Sequence, residues 1–231
     1  MSQFSDAFDR TGQVRRPPYH FLLREGFARL TYFPRLPDAS SLPPGRGRVV
    51  LVIPGFLTTD IVTRRLRRFL QRCGYRPFGW GLGINWGPTP RLSAALRQRL
   101  LALRALADDR VSVVGVSLGG LMARDLAYDH PDDVREVITL ASPYNLPTAS
   151  TLEPLMRLAT RFYDPAADVA RLAAPLPVPS VAIFTRDDGL VAWESCRREE
   201  ANCRAVEVGG AHVTIYRNPD ALRAVAAGLG T

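Results

Sequence analysis

From Arg48 onward the chain keeps two alternating rhythms. Short unbroken apolar runs rich in β-branched residues, beginning with Val49 to Ile53, suit strands buried on both faces. Between them apolar residues recur every three or four positions. Ile61, Leu66, Phe69 and Leu70 do so while Arg64, Arg65, Arg67 and Arg68 fill the remaining places as a solvated face, which predicts a helix running through Cys73 that Asp60 can cap. Tyr75 to Trp80 reads as a second strand, Leu92 to Ala107 as a long helix, Val111 to Val116 as a third strand and Leu118 to Tyr128 as another helix. Val134 to Leu140, Val178 to Phe184 and Ala205 to Val208 supply further strands, and Pro219 to Ala227 a closing helix. Strands separated by helices predict an α/β fold: a mostly parallel central sheet with helices on both faces, and ligands bound beyond the carboxyl ends of the strands.

Two stretches break this rhythm. Ahead of the sheet, Tyr19 to Phe33 places Leu22, Leu23, Phe27 and Leu30 on one broad helical face before the breaker Pro34, and a Pro/Gly/Ser-rich strap follows from Leu36 to Gly47. Residues 1–47 are therefore expected to form a helical segment and strap packed on a core domain of residues 48–231. Peripheral membrane contact through the amphipathic face is the alternative to packing on the sheet. The second break, about 142–175, is Pro-rich and helical (Leu152 to Phe162, Ala166 to Ala173), and reads as a short cap above the sheet.

Composition narrows the class. With 231 residues, 46% hydrophobic and 23% charged, the chain can bury one large core and gives no case for disorder. The longest apolar stretch, Val49 to Leu57, contains Pro54 and Gly55 and falls short of the ~20 residues that cross a bilayer, so no integral span is expected. Met1 to Arg16 lacks the apolar run and cleavage site of a secretory signal, which points to a cytoplasmic protein. Three cysteines, Cys73, Cys196 and Cys203, without metal-ligand spacing fit reduced thiols. The net charge of +8 comes from arginines alone, since no lysine is present, and they are scattered along the chain. Nucleic acid is therefore not expected as a partner. The sequence leaves the oligomeric state open.

The chemistry concentrates in Gly115-Val116-Ser117-Leu118-Gly119-Gly120, which ends a strand and opens a helix. So sharp a turn crowds its neighbours, and small residues two before and two after let the central serine stand in a strained conformation. Its hydroxyl then sits above a helix N-terminus, where the Leu118 amide and the helix dipole face negative charge developing on a bound carbonyl oxygen. A helix-capping serine is the bland alternative.

A serine hydroxyl needs a base. Of three histidines, His20 lies upstream of the sheet and His130 at a helix end before Pro131. His212 remains, in Gly209-Gly210-Ala211-His212 after the last strand, on the ligand edge. A carboxylate must orient it, and Asp187-Asp188-Gly189 follows the strand ending at Phe184. Asp188, beside the glycine at the tight part of the turn, is preferred over Asp187. A second oxyanion donor is expected after the first strand, in Ile53-Pro54-Gly55-Phe56-Leu57, from the amide of Phe56.

These segments, with Met122-Ala123-Arg124, Thr139 to Pro143 and Asp188-Gly189-Leu190-Val191, resemble those of the α/β-hydrolase superfamily, near the lipase and esterase branch, from about Val49 to the C-terminus. One departure is Val116, where many such lipases carry histidine before the nucleophile; it leaves the triad intact. The resemblance implies a serine hydrolase of carboxylic esters working through an acyl-enzyme, with no cofactor and no metal. Leu57, Trp80, Trp86, Tyr144, Leu190 and Val213 are expected to form an apolar surround, favouring apolar acyl or aryl esters, a small or lipid-like substrate. An acyltransferase using the same triad, and a non-catalytic hydrolase-fold binding protein, are the alternatives.

Overall fold

The computed structural model describes residues 17, 20–144, 171, 174–199 and 201–230. Its elements are α1 (His20–Thr31), β1 (Val49–Ile53), α2 (Asp60–Arg72), β2 (Arg76–Gly79), α3 (Pro90–Arg104), β3 (Val111–Val116), α4 (Leu118–Asp129), β4 (Val134–Leu140), β5 (Ser180–Phe184), β6 (Cys203–Glu207) and α5 (Pro219–Leu229). Single turns of 3₁₀ helix at Trp193–Cys196 and a longer 3₁₀ segment at His212–Arg217 complete the set.

The six strands form one sheet in the order β2-β1-β3-β4-β5-β6. Every pairing is parallel, with Val52 beside Val114, Ile138 beside Val181 and Ala182 beside Ala205. All six carboxyl ends therefore lie along one edge, and every loop that leaves a strand starts there.

Alternation along the strands divides the core into two layers. Val50, Val52, Val114 and Val116 face α2 and α5 through Leu66, Phe69, Leu222 and Val225. Their neighbours Val49, Leu51, Ile53, Val111 and Val113 face α3 and α4 through Leu96, Leu100, Met122 and Leu126. Both faces are thus covered, which is why the strands read as continuous apolar runs rather than alternating ones.

Two local expectations for α2 change. Thr59, not Asp60, caps α2, its hydroxyl accepting the Ile61 N–H at 3.3 Å. The Asp60 carboxylate instead accepts the N–H groups of Trp80 (3.0 Å) and Gly81 (2.9 Å), an approach open because a Cβ on Gly79 would stand 2.4 Å from Asp60 Cγ. Ile61 points outward, leaving Thr63, Leu66, Phe69 and Leu70 as the buried face of α2.

The first helix differs most. Leu23, Phe27 and Leu30 are 70–79% exposed, and Glu25 is the buried residue of α1. Polar anchors hold the helix: Arg217 donates to the carbonyls of Ala28 (3.0 Å) and Arg29 (2.8 Å), and Arg24 pairs with Asp187 at 3.3 Å. The apolar face of α1 is therefore not the one packed on the core; the contacts that hold the helix come from loops far along the chain, which apolar periodicity does not report. The cap expected over 142–175 lies, apart from 142–144, 171, 174 and 175, outside the described residues. No described helix is long and apolar enough to cross a membrane. Cys73, Cys196 and Cys203 are buried free thiols.

Candidate active site

Ser117 sits between β3 and α4 with φ 51° and ψ −121°, in the positive-φ half of backbone space that side chains rarely enter. Close packing around the turn enforces it. A Cβ on Gly115 would lie 2.3 Å from the Gly119 carbonyl oxygen, one on Gly119 2.5 Å from that of Ile53, and one on Gly120 2.0 Å from Ser142 Oγ. The three glycines thus let α4 start directly against β1 and β4. Ser117 donates its N–H to Leu140 O at 2.7 Å, while its side chain makes no capping bond to α4. The capping role considered for this serine is therefore not what its hydroxyl does.

On the same edge, two strands away, the loops after β5 and β6 meet. His212 Nδ1 and Asp188 Oδ2 are 2.6 Å apart, and both residues are buried. The other carboxylate oxygen, Oδ1, accepts the N–H groups of Leu190 and Val191, each at 2.8 Å. With those bonds Asp188 has one oxygen fixed by backbone and the other left for the imidazole. Asp187 turns the opposite way, half-exposed, toward Arg24. Thr185 Oγ1 donates to Gly210 O at 2.7 Å and Asn218 Nδ2 to Gly209 O at 2.6 Å, so the histidine loop is pinned from both sides.

Charge around His212 has a definite sign. Burial disfavours the imidazolium, but the Asp188 carboxylate, by charge and by hydrogen bond, and then Glu25 outweigh it, so the pKa stands above the ordinary 6.5. Burial pushes the neighbouring Cys196 thiol well above its ordinary value, with Asp188 adding to the shift, so it stays neutral.

The loop after β1 comes within contact of the serine: a Cβ on Gly55 would lie 3.5 Å from Ser117 Cβ. Leu57, at φ 56°, donates its N–H to Asn85 O at 2.8 Å, which turns the loop back and leaves the half-buried Phe56 beside Gly55. Asn85 is the residue that sequence reasoning passed over. Fully buried, it donates through Nδ2 to Pro54 O at 2.7 Å, accepts the Gly87 N–H on Oδ1 at 3.0 Å, and donates its backbone N–H to Thr58 O at 2.9 Å. A lone amide between Ile84 and Trp86 was the available signal, since a polar group in so apolar a loop must find partners.

The expected apolar surround is divided. Leu57 and Trp86 are exposed, Leu190 and Val213 half-buried, the first three on loops at the carboxyl edge and Val213 in the 3₁₀ segment that starts there. Trp80 does not join them. It is fully buried among Leu96 and Leu100, with Nε1 donating to Gly83 O at 3.1 Å. Tyr144 is also interior, packed with Ala182 and Cys203 beneath the Arg124 guanidinium, 4.1 Å from its ring centre. Both aromatics fill the core. Among the described residues no group of three or more His, Cys, Asp or Glu side chains could hold a metal ion.

A family model described as the alpha/beta hydrolase fold matches residues 48–176, more than half of the chain, and the protein belongs to that family. No curated protein sequence matches it. Solved structures similar in fold include the thioesterase domain from the curacin biosynthetic pathway, with TM-score 0.54, 16% identity, and coverage of 82% of this chain and 93% of that one. Est1E from Butyrivibrio proteoclasticus gives 0.55 and 15%, covering 82% and 89%. A pyrethroid hydrolase from Sphingobium faniae JZ-2 gives 0.54 and 18%, covering 80% and 97%.

Proposed function

We propose that the protein is a cofactor-independent serine hydrolase of carboxylic esters. The observation that carries this reading is the placement of a strained, uncapped Ser117 and a buried Asp188–His212 couple on the same sheet edge. Asp188, an acceptor when ionised, holds the proton of His212 on Nδ1 and leaves Nε2 free to accept. Ser117 Oγ attacks the ester carbonyl carbon as its proton passes to Nε2. The oxyanion is met by the amides of Phe56 and Leu118. The tetrahedral intermediate then collapses, the alcohol leaves with the proton from His212, and the acyl group remains on Ser117. Water, deprotonated by the same nitrogen, releases the acid.

Esterase, thioesterase and pyrethroid hydrolase among the structures of similar fold agree with ester chemistry. Leu57, Trp86, Leu190 and Val213 around the loops favour an apolar acyl or aryl group. Purified protein assayed on p-nitrophenyl esters of graded acyl length tests the reading. Saturable turnover with a chain-length optimum supports it, and the absence of turnover on every ester contradicts it.

A further inference from the structure

On α1, Glu25 is the one acidic residue in the segment from Tyr19 to Phe33 and is only 4% exposed. A carboxylate placed there needs donors, and among the described residues all of those it meets belong to the two loops that carry Asp188 and His212. Oε1 accepts the N–H of Gly189 at 2.9 Å and that of His212 at 2.9 Å, while Oε2 accepts the N–H of Val213 at 2.8 Å. These amides belong to the residue following the acid, to the histidine itself and to the residue after it.

Gly189 makes the approach possible. A Cβ there would stand 2.9 Å from Glu25 Cγ and 2.9 Å from both Cβ and O of Phe21. The glycine beside the acid therefore answers to the helix lying against it, since its φ is not in the positive range. Arg24 to Asp187 and Arg217 to the last carbonyls of α1 fix the same helix against the same two loops.

We propose that Glu25 is a positioning residue: from α1 it clamps the acid turn and the histidine loop to one another and so holds the Asp188–His212 pair in its working geometry. The backbone N–H of His212 and that of the residue following Asp188 share a single oxygen atom. Displacing that atom frees each loop to move separately, and the 2.6 Å contact between imidazole and carboxylate spans the two. Glu25 also acts on the imidazole through charge. The groups that face His212 are Asp188 from the turn after β5 and Glu25 from α1, with the neutral Cys196 thiol of the 3₁₀ turn behind Asp188. Both carboxylates favour the imidazolium.

The positioning role rests on the hydrolase reading, but the clamp can be measured without substrate. In Glu25→Gln, which keeps the shape but sets an amide NH₂ against the Val213 N–H, kcat is expected to fall about tenfold or more with little change in KM. The acidic limb of kcat/KM should move to lower pH, because one charge that holds the proton on His212 is gone. The NMR titration of the His212 ring, assigned by its loss in His212→Gln, should move the same way. Leu23→Ala, on the exposed side of α1, should leave all three readouts unchanged. In the wild type the amides of Gly189, His212 and Val213 should share slow hydrogen exchange, a measurement that needs no variant to fold. Fast exchange at these amides overturns the proposal. So does a variant that loses only thermal stability while limb and titration stay in place. If the wild type turns over no ester yet the His212 titration moves in Glu25→Gln, the hydrolase reading fails and the clamp stands.

Discussion

Asp188 reaches His212 Nδ1 at 2.6 Å, whereas Asp187, its immediate neighbour, points to Arg24 at 3.3 Å and is half-exposed. Two adjacent carboxylates are thus divided between a buried partnership and a surface one. The division comes from the turn itself, because the N–H groups of Leu190 and Val191 converge on Asp188 Oδ1 and fix that side chain inward.

Asp188→Asn is therefore expected to lower kcat by about 10⁴-fold, since an amide there favours the wrong imidazole tautomer. Asp187→Asn weakens one half-exposed ion pair to Arg24 while Glu25 and Arg217 still hold α1, and should stay within a few-fold of wild type. Steady-state kinetics on the two variants check this, and reversed losses would move the acid to Asp187.

The glycines of the serine turn make a graded test of packing. Gly119→Ala puts a Cβ 2.5 Å from Ile53 O and 2.6 Å from Pro54 O, both backbone atoms that cannot swing aside. A loss of about 3 kcal/mol is expected in urea unfolding. Gly209→Ala meets nothing within 4 Å and should change stability by no more than about 0.5 kcal/mol.

Asn85→Ala removes the bonds to Pro54 O and from the Gly87 N–H, leaving buried groups unpaired. The expected cost is about 1–3 kcal/mol in stability. Because Asn85 also anchors the loop that carries Phe56, kcat should fall about ten- to hundredfold with KM nearly constant. Chemical unfolding together with kinetics separates the two effects.

Much of this was legible in the sequence. Strands read from β-branched runs stand where expected, with Val134–Leu140 matching at both ends, because burial on both faces leaves no other pattern for such runs. Ser117 and His212 were marked by their place after strands, and a parallel sheet brings all such places to one edge. What escaped were groups whose partners are remote in sequence. Asn85 and Pro54 are thirty-one positions apart, and Glu25 and His212 one hundred and eighty-seven. Helical periodicity reports an apolar face but not what covers it: Leu23, Phe27 and Leu30 stand exposed on α1, and the buried residue is Glu25. Trp80 and Tyr144 were misplaced for the converse reason: an aromatic near a strand end fills the core as readily as a pocket.

Dependence on pH follows from the raised pKa of His212. Only the neutral ring can take the serine proton, so kcat/KM should rise with pH through an ionisation above 6.5. Stability runs the other way. Because the folded pKa exceeds the unfolded value, this group's contribution to stability is complete below the unfolded pKa and disappears as pH rises through the folded one. Across that window the difference in unfolding free energy between wild type and His212→Gln should shrink as pH rises and level off at its alkaline end.

The most direct test of the central claim is intact-protein and peptide mass spectrometry after treatment with a fluorophosphonate. A single phosphonyl adduct on Ser117, absent in Ser117→Ala and strongly slowed in His212→Gln while circular dichroism stays native, is the result predicted here. An unlabelled wild-type protein, or an adduct that persists in Ser117→Ala, would contradict it.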